Sequence, residues 1–295
     1  MPDPADGAFP PRPDLFYTRR LALTGRRGVV ASTVSCAVVI GALAAILFAA
    51  PGSAAVRQFF FSPHDAWRAF VGDPAQGLSS VGQGLITNVW MFLVSEALIL
   101  VFALAIAATR VSRSPVLLPF RVLATVYTDV FRGVPVLLVI FMVGFGLPAL
   151  SLHFVSTQSP SVYGVVALTI TYTAYVAEVF RAGIFSVPHG QLLAARSLGL
   201  TYPTTMRRVV LPQAVRTVIP PLLNDFISLQ KDTALVSVLG VVETTRAAQI
   251  YGSTEFNYTG YVVAALLFLA LTIPMTRFTD RLIARDRARR LAGAT

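Results

Sequence analysis

Three polar side chains recur at helical spacing inside one otherwise apolar stretch: Asn224, Ser228 and Lys231 share a stripe, with Asp225 and Asp232 beside it. Such groups are costly in a greasy segment unless they meet water, a partner or a ligand, so they nominate a solute pathway. Asn88 and Glu96 interrupt a second apolar stretch, and Thr171, Tyr175 and Glu178 line one stripe of a third. Together they supply the cationic and anionic hydrogen-bonding groups that a zwitterion such as an amino acid needs. Asp129 with Arg132, and Glu178 with Arg181, stand three apart and read as braces of helix ends. No residues are set out for catalysis: paired aspartates and Gly-X-Ser-X-Gly are missing. His64, His153 and His189 lie far apart without carboxylate or cysteine at ligand spacing, so no metal site is expected. The only lysine, Lys231, sits between Gln230 and Asp232, which excludes a Walker phosphate loop. The chain is therefore expected not to be an enzyme, and any ATP must be hydrolysed by another polypeptide.

The elements that position these groups follow from composition. With 55% apolar and 13% charged residues and a mean hydropathy of +0.68, the chain reads as an all-α polytopic membrane protein. A net charge of +10 is spread between apolar runs rather than gathered on one domain, which argues against nucleic acid as a partner. Cys36 has no second cysteine and reads as a small hydrophobe. Six runs suffice to span a bilayer as helices: Val29 to Ala50, Leu85 to Ala108, Val122 to Ala149, Val162 to Phe180, Val218 to Val242 and Tyr261 to Met275. The first follows Arg26 and Arg27, yet is longer than a signal core and reads as a retained anchor.

Nineteen Lys and Arg fall before the first run, after the second, fourth and sixth, against three (Arg57, Arg68, Arg246) on the other side. This asymmetry places both termini and the loop 181–216 in the cytoplasm of a multi-pass bacterial cell-membrane protein. Residues 1–28, with five prolines and three aspartates before Arg20, read as a disordered cytoplasmic arm, and 29–50 as an anchor helix. Residues 51–84 form an extracytoplasmic segment whose Phe59, Phe60, Phe61, Trp67 and Phe70 suggest a short interfacial helix rather than a partner-binding surface. Residues 85–276 form the transmembrane domain and 277–295 a basic cytoplasmic tail.

The loop 181–216 holds no acidic residue and carries its own pattern. Gln191-Leu192-Leu193-Ala194-Ala195-Arg196-Ser197-Leu198-Gly199 is followed by nine residues and then Val209-Val210-Leu211-Pro212. Pro188 can start a helix and Gly199 can end it in a left-handed cap. Small residues permit close approach, and Leu198 and Leu200 offer apolar knobs. The spacing resembles the loop by which permease subunits of ABC importers dock on their ATPase: Glu-Ala-Ala, three residues, Gly, nine residues, a β-branched residue, any residue, Leu-Pro. Leu193 stands where that Glu would be.

The resemblance runs from Gly82 to about Ile273. Gly84, Leu85 and Thr87 come first, then Tyr127, Arg132, Gly133 and Pro135, and then Ala174, Tyr175, Glu178, Arg181, Ala182, Gly183 and Ile184. Pro188, Gly190 and Gln191 lead into the loop, and Pro212, Gln213, Ala214, Arg216, Pro220, Asn224, Phe226, Lys231, Asp232, Thr233 and Leu235 follow. In order and spacing they resemble the polar amino acid branch of type I ABC importer permeases. That resemblance implies a five-helix core plus an N-terminal extra helix, six transmembrane helices in all. It implies import by alternating access of a polar amino acid, glutamate or glutamine first, from an extracytoplasmic binding protein. The implied partners are an ABC ATPase dimer, which holds ATP and magnesium while this chain holds no cofactor, a second permease subunit and membrane lipid. The missing Glu at Leu193 favours a heterodimeric pore over a homodimer. The coupling loop would use Gly190, Gln191, Leu193, Ala194, Ala195, Arg196, Gly199, Leu211 and Pro212, and the pathway Asn88, Glu96, Thr171, Tyr175, Asn224, Ser228, Lys231 and Asp232. An ion-gradient-driven transporter, with Glu96 and Asp232 as ion ligands, is the alternative, and it lacks a visible inverted repeat.

Overall fold

The computed structural model describes residues 26–112 and 114–292. The arm expected over 1–28 therefore lies almost wholly outside the described residues, as do the last three of the tail. The chain divides into two compact units after Gln58. In the first, α1 (Arg26–Ala49) realises the first apolar run, and α2 (Ser53–Phe60) follows a short turn, its last two residues, Phe59 and Phe60, belonging to the second unit. Ser53 Oγ and Arg57 Nη1 both donate to the Phe48 carbonyl, at 3.2 and 3.3 Å, which satisfies part of the frayed end of α1.

The second unit opens with α3 (Pro63–Val71), where Pro63 occupies the first turn and Ser62 Oγ accepts the Asp65 amide at 3.3 Å. The helix α4 (Val81–Val111) starts the same way, with Ser80 Oγ accepting from the Gln83 amide at 3.0 Å. The third run, expected as one span, is two helices: α5 (Leu118–Gly133) and α6 (Val136–Ala149), bent by 109°. Pro135 explains the break, because its ring forces Val134 out of the helical region to φ −93°, ψ 131°. A short α7 (His153–Ser156) leads to α8 (Pro160–Phe185), which starts two residues before the fourth run and ends five after it. The loop expected after it is largely helical: α9 (His189–Ser197), α10 (Tyr202–Thr205), a π turn over Met206–Val210 and α11 (Leu211–Asp232).

The fifth run thus starts seven residues early, Pro212 presetting the first turn. It also ends as a helix at Asp232 and continues as a 3₁₀ segment, Thr233–Leu239, stopped by left-handed Gly240. Lys231 consequently sits in the last α-helical turn rather than near the middle of a span. Glu243 caps α12 (Thr244–Glu255), accepting from the Thr245 and Arg246 amides at 2.9 and 2.7 Å. Finally α13 (Thr259–Ala292) carries the sixth run on into the basic tail.

The core is built around α8, which packs against α4, α5, α6 and α11 through Met91, Ile99, Ile140, Leu168, Tyr172 and Leu229 among others. Two-thirds (67%) of the most apolar stretch of α8 is buried, against 17% for α13, so α8 is central and α13 peripheral. By length and composition α4, α8 and α13 can cross a membrane, with α5–α6 a fourth if the bent pair counts as one span. The helix α11 misses that standard because it carries Arg216, Asp225, Lys231 and Asp232, yet contacts show that it runs the length of the bundle. Arg110 and Glu178 join the C-terminal ends of α4 and α8, so these helices are parallel and α5–α6 must return the chain between them. Gln191 meets Gln213 at the start of α11, whereas Thr233 beyond its end meets Asn88 near the start of α4. Ser62 N, at the cap of α3, donates to Thr259 Oγ1 at 3.4 Å, which places the start of α13 beside α3. The second unit therefore traverses the bundle five times among the described residues.

Candidate coupling helix and solute path

The coupling segment is closed by local geometry. Leu200 N donates to Ala195 O at 3.2 Å and Gly199 N to Arg196 O at 2.9 Å, the two bonds of a Schellman cap. The cap needs a left-handed residue, and Gly199 supplies it at φ +81° with nothing within 4 Å of where a Cβ would sit. Ala195 turns inward and is buried, whereas Gly190, Gln191, Leu193, Ala194, Arg196 and Gly199 are exposed. Leu198, at 83% exposure, is an apolar knob that no neighbour covers among the described residues. Leu211 and Pro212 are exposed at the head of α11. Gln213 Nε2 donates to Gln191 Oε1 at 2.6 Å, tying α9 to α11. A cavity of about 290 Å³, lined in part by Ile184, Leu192, Tyr202, Met206 and Val210, lies behind α9.

A charge cluster stands at this end of the bundle. Glu178 Oε2 accepts from Arg110 Nη1 at 2.8 Å, and both its oxygens accept from Arg181, at 3.0 and 2.5 Å. The fork joins two helices as well as bracing one, and the bidentate geometry fixes the angle between the groups. Among the described residues the other expected brace, Asp129 with Arg132, forms no ion pair.

The proposed pathway residues separate into two groups. Asn224 and Lys231 are exposed and Ser228 half-buried, one stripe along α11. Asp225 and Glu96 are half-buried, with one Asp225 oxygen buried and without a hydrogen bond. Phe92 and Phe226, edge to face at 4.5 Å, hold α4 and α11 together beside them. Asp232 lies next to Lys231 but accepts from Tyr172 Oη at 2.7 Å.

The remaining residues are engaged in the scaffold. Thr171 is buried and donates to Ala167 O of its own helix at 3.0 Å, and Tyr175 Oη donates to Arg132 O at 3.2 Å. Asn88 is buried with both ends of its amide engaged. Its Nδ2 donates to Thr233 Oγ1 and Glu243 Oε2, each at 3.0 Å, and its Oδ1 accepts the Thr244 amide at 3.1 Å. This is a joint between α4, the 3₁₀ segment and α12. Sequence reasoning missed Glu243, although an acid directly before Thr244-Thr245 is a helix-start signal. It named Asp225 only as a neighbour of the stripe.

Residues 99–287 match the family described as "Binding-protein-dependent transport system inner membrane component". The chain is 41% identical over 170 residues to the probable glutamine ABC transporter permease protein GlnM of Bacillus subtilis, covering 57% of this chain and 77% of that one. It is 35% identical over 195 residues to the arginine transport system permease protein ArtQ of the same organism, covering 66% and 86%. A solved structure titled as an amino acid ABC transporter with histidines superposes with a TM-score of 0.64 at 33% identity, over 70% of this chain and 93% of that one. ATP hydrolysis in such importers belongs to a separate subunit, consistent with a chain whose only lysine lies in no phosphate loop. The helical bundle, the capped segment after α8 and these relatives together make the chain a permease subunit of a type I ABC importer for polar amino acids, a member of the binding-protein-dependent transport family.

Proposed function

We propose that this permease imports glutamine or glutamate, received from an extracytoplasmic binding protein, by alternating access driven through α9. The observation that carries the reading is α9 itself: a short capped helix with Leu198 bare and Arg196 exposed, tied by Gln191 to α11. An ATPase dimer holding ATP and magnesium would seat on that surface, and its closure would move α11 and the polar stripe it bears. Asn224, Ser228 and Lys231, facing out of the single chain, would line the path once a second permease subunit covers them. Leu193, in place of an acid, favours a partner that keeps the Glu and hence a heterodimer. The glutamine preference draws on the relative GlnM.

The protein is co-purified with its ATPase, reconstituted in vesicles and supplied with binding protein. Glutamine or glutamate uptake is expected to require ATP and to persist when ion gradients are dissipated. Uptake that follows a proton or sodium gradient without ATP would instead support the secondary transporter. Within the same assay Lys231→Met is expected to reduce uptake or alter substrate preference while assembly is retained, because it removes the cation at similar length. Full activity would leave Asn224 and Ser228 as the polar contacts.

We further infer that α9 and the tail are cytoplasmic and that the turn before α4 is outside, from the nineteen-to-three distribution of basic residues. With Cys36 replaced, a cysteine at Ser79 should react with an impermeant reagent in intact cells and one at Ser197 only after lysis. The opposite pattern inverts the orientation.

A further inference from the structure

The helix α3 is amphipathic in reverse. Two of its polar side chains, Asp65 and Arg68, are half-buried against the protein while His64 stays exposed: Asp65 accepts from Tyr251 Oη at 2.7 Å and Asn257 Nδ2 at 3.0 Å, and Arg68 pairs with Glu255 at 3.1 Å and Gln76 at 2.7 Å. Burial opposes the Asp65 charge, but the Ser62 and Tyr251 hydroxyls and the His64 and Arg68 charges hold its pKa below the usual carboxylate value. Its apolar side chains point out: Trp67 is 68% exposed, and Phe70 and Val71 lie exposed on the same side. In water this arrangement is upside down, since aromatic surface is left wet while charged groups are drawn inward.

The position of α3 supplies the missing solvent. It packs on α4 and α13, and Tyr258 N, just before α13, donates to Phe59 O at 2.7 Å. The 31 residues of α4 extend about 46 Å at 1.5 Å per residue. That exceeds the hydrocarbon layer of about 30 Å and matches a bilayer with its headgroups, about 40–45 Å. An α4 that spans the whole bilayer would set its first turn, and α3 beside it, at headgroup depth. Phe60 stacks on Tyr258 with centroids 5.3 Å apart at the same end, continuing the aromatic surface. Aromatic rings concentrate at this boundary because it accepts an apolar body and a polar edge together.

We propose that α3 is an interfacial helix seated in the headgroup boundary of the bilayer, with Trp67, Phe70 and Val71 facing lipid. A protein partner would find little to read here, because Asp65 and Arg68 are engaged internally. His64, the polar member of the outer stripe, belongs at the watery edge.

The chain has two tryptophans, so Trp90→Phe leaves Trp67 as the sole emitter. The variant is placed in nanodiscs whose lipids carry bromine near the top of the acyl chain, and iodide is added to the water. Trp67 is expected to lose most of its emission to the brominated lipid and little to iodide. Strong iodide quenching with no effect of bromine would overturn the proposal and leave this face to a soluble protein. Should Trp90→Phe fail to fold, the difference between wild type and Trp67→Phe isolates the same signal without touching Trp90.

Discussion

Gly199→Val is expected to cut ATP-driven uptake about tenfold or more while the protein still assembles in the membrane. The site has open space, so the damage is not a clash. It arises because a β-branched residue at φ +81° costs about 1–2 kcal/mol, and about 1.4 kcal/mol already shifts an equilibrium tenfold. Losing the left-handed residue undoes the bonds to Ala195 and Arg196 and swings Leu198 away from the docking surface. Three substitutions separate backbone from charge. Gly199→Asn, which tolerates the left-handed region, should retain most uptake; Gly199→Val should fail through the backbone; Gly199→Asp should fail through a buried charge at the docking contact. Uptake and ATPase activity of the three, measured side by side, check the order. Equal activity of Val and Asn would remove the cap from the coupling mechanism.

The second large effect is expected at the joint between α4 and α12. Asn88→Leu deletes two donors and an acceptor inside the protein and strips a partner from buried Glu243. Breaking a buried charged network on one side typically costs about 3–5 kcal/mol, and the two amides still bonded to Glu243 place the loss at the lower end. Gly84, one turn earlier, approaches so closely that a Cβ would strike the backbone of Glu243 and Thr244. Gly84→Ala should therefore cost about 1–3 kcal/mol by overpacking against atoms that cannot rotate away. Thermal unfolding in nanodiscs is expected to fall clearly for both, and also for Asn88→Asp, which loses both donors and sets a second acid 3.0 Å from Glu243. An unchanged transition in Asn88→Leu would show that the amide is not holding the joint and would return Asn88 to the solute path.

What the sequence disclosed tracks the range over which each signal acts. The limits of α9 were legible because Pro188 and Gly199 act on their own backbone, and the apolar runs because hydropathy is a local sum. The 109° elbow was not, although Pro135 marked a break: apolar residues continue on both sides, and hydropathy carries no angle. The early start of α11 was hidden because Leu211–Thr217 is amphipathic rather than uniformly apolar. The joint at Asn88 was hidden for a deeper reason. A polar residue in an apolar run signals that some partner exists, and here the partners are 145 and 155 residues away. The braces divided likewise: Glu178 found Arg181 on its own helix, while the reach to Arg110 required the parallel pairing of α4 with α8.

Five passes along the bundle are an odd number, so parity relates the positions of distant segments. The segment around Phe59 and the end of α13 lie at opposite ends of the bundle, and α9 lies at the same end as the close of α13. Arg277, Arg281 and Arg285 and Arg196, Arg207 and Arg208 consequently gather their charge toward one end of the bundle instead of cancelling along it. A single reporter fused after the tail would then give the side of α9 without altering the surface on which the ATPase is expected to rest.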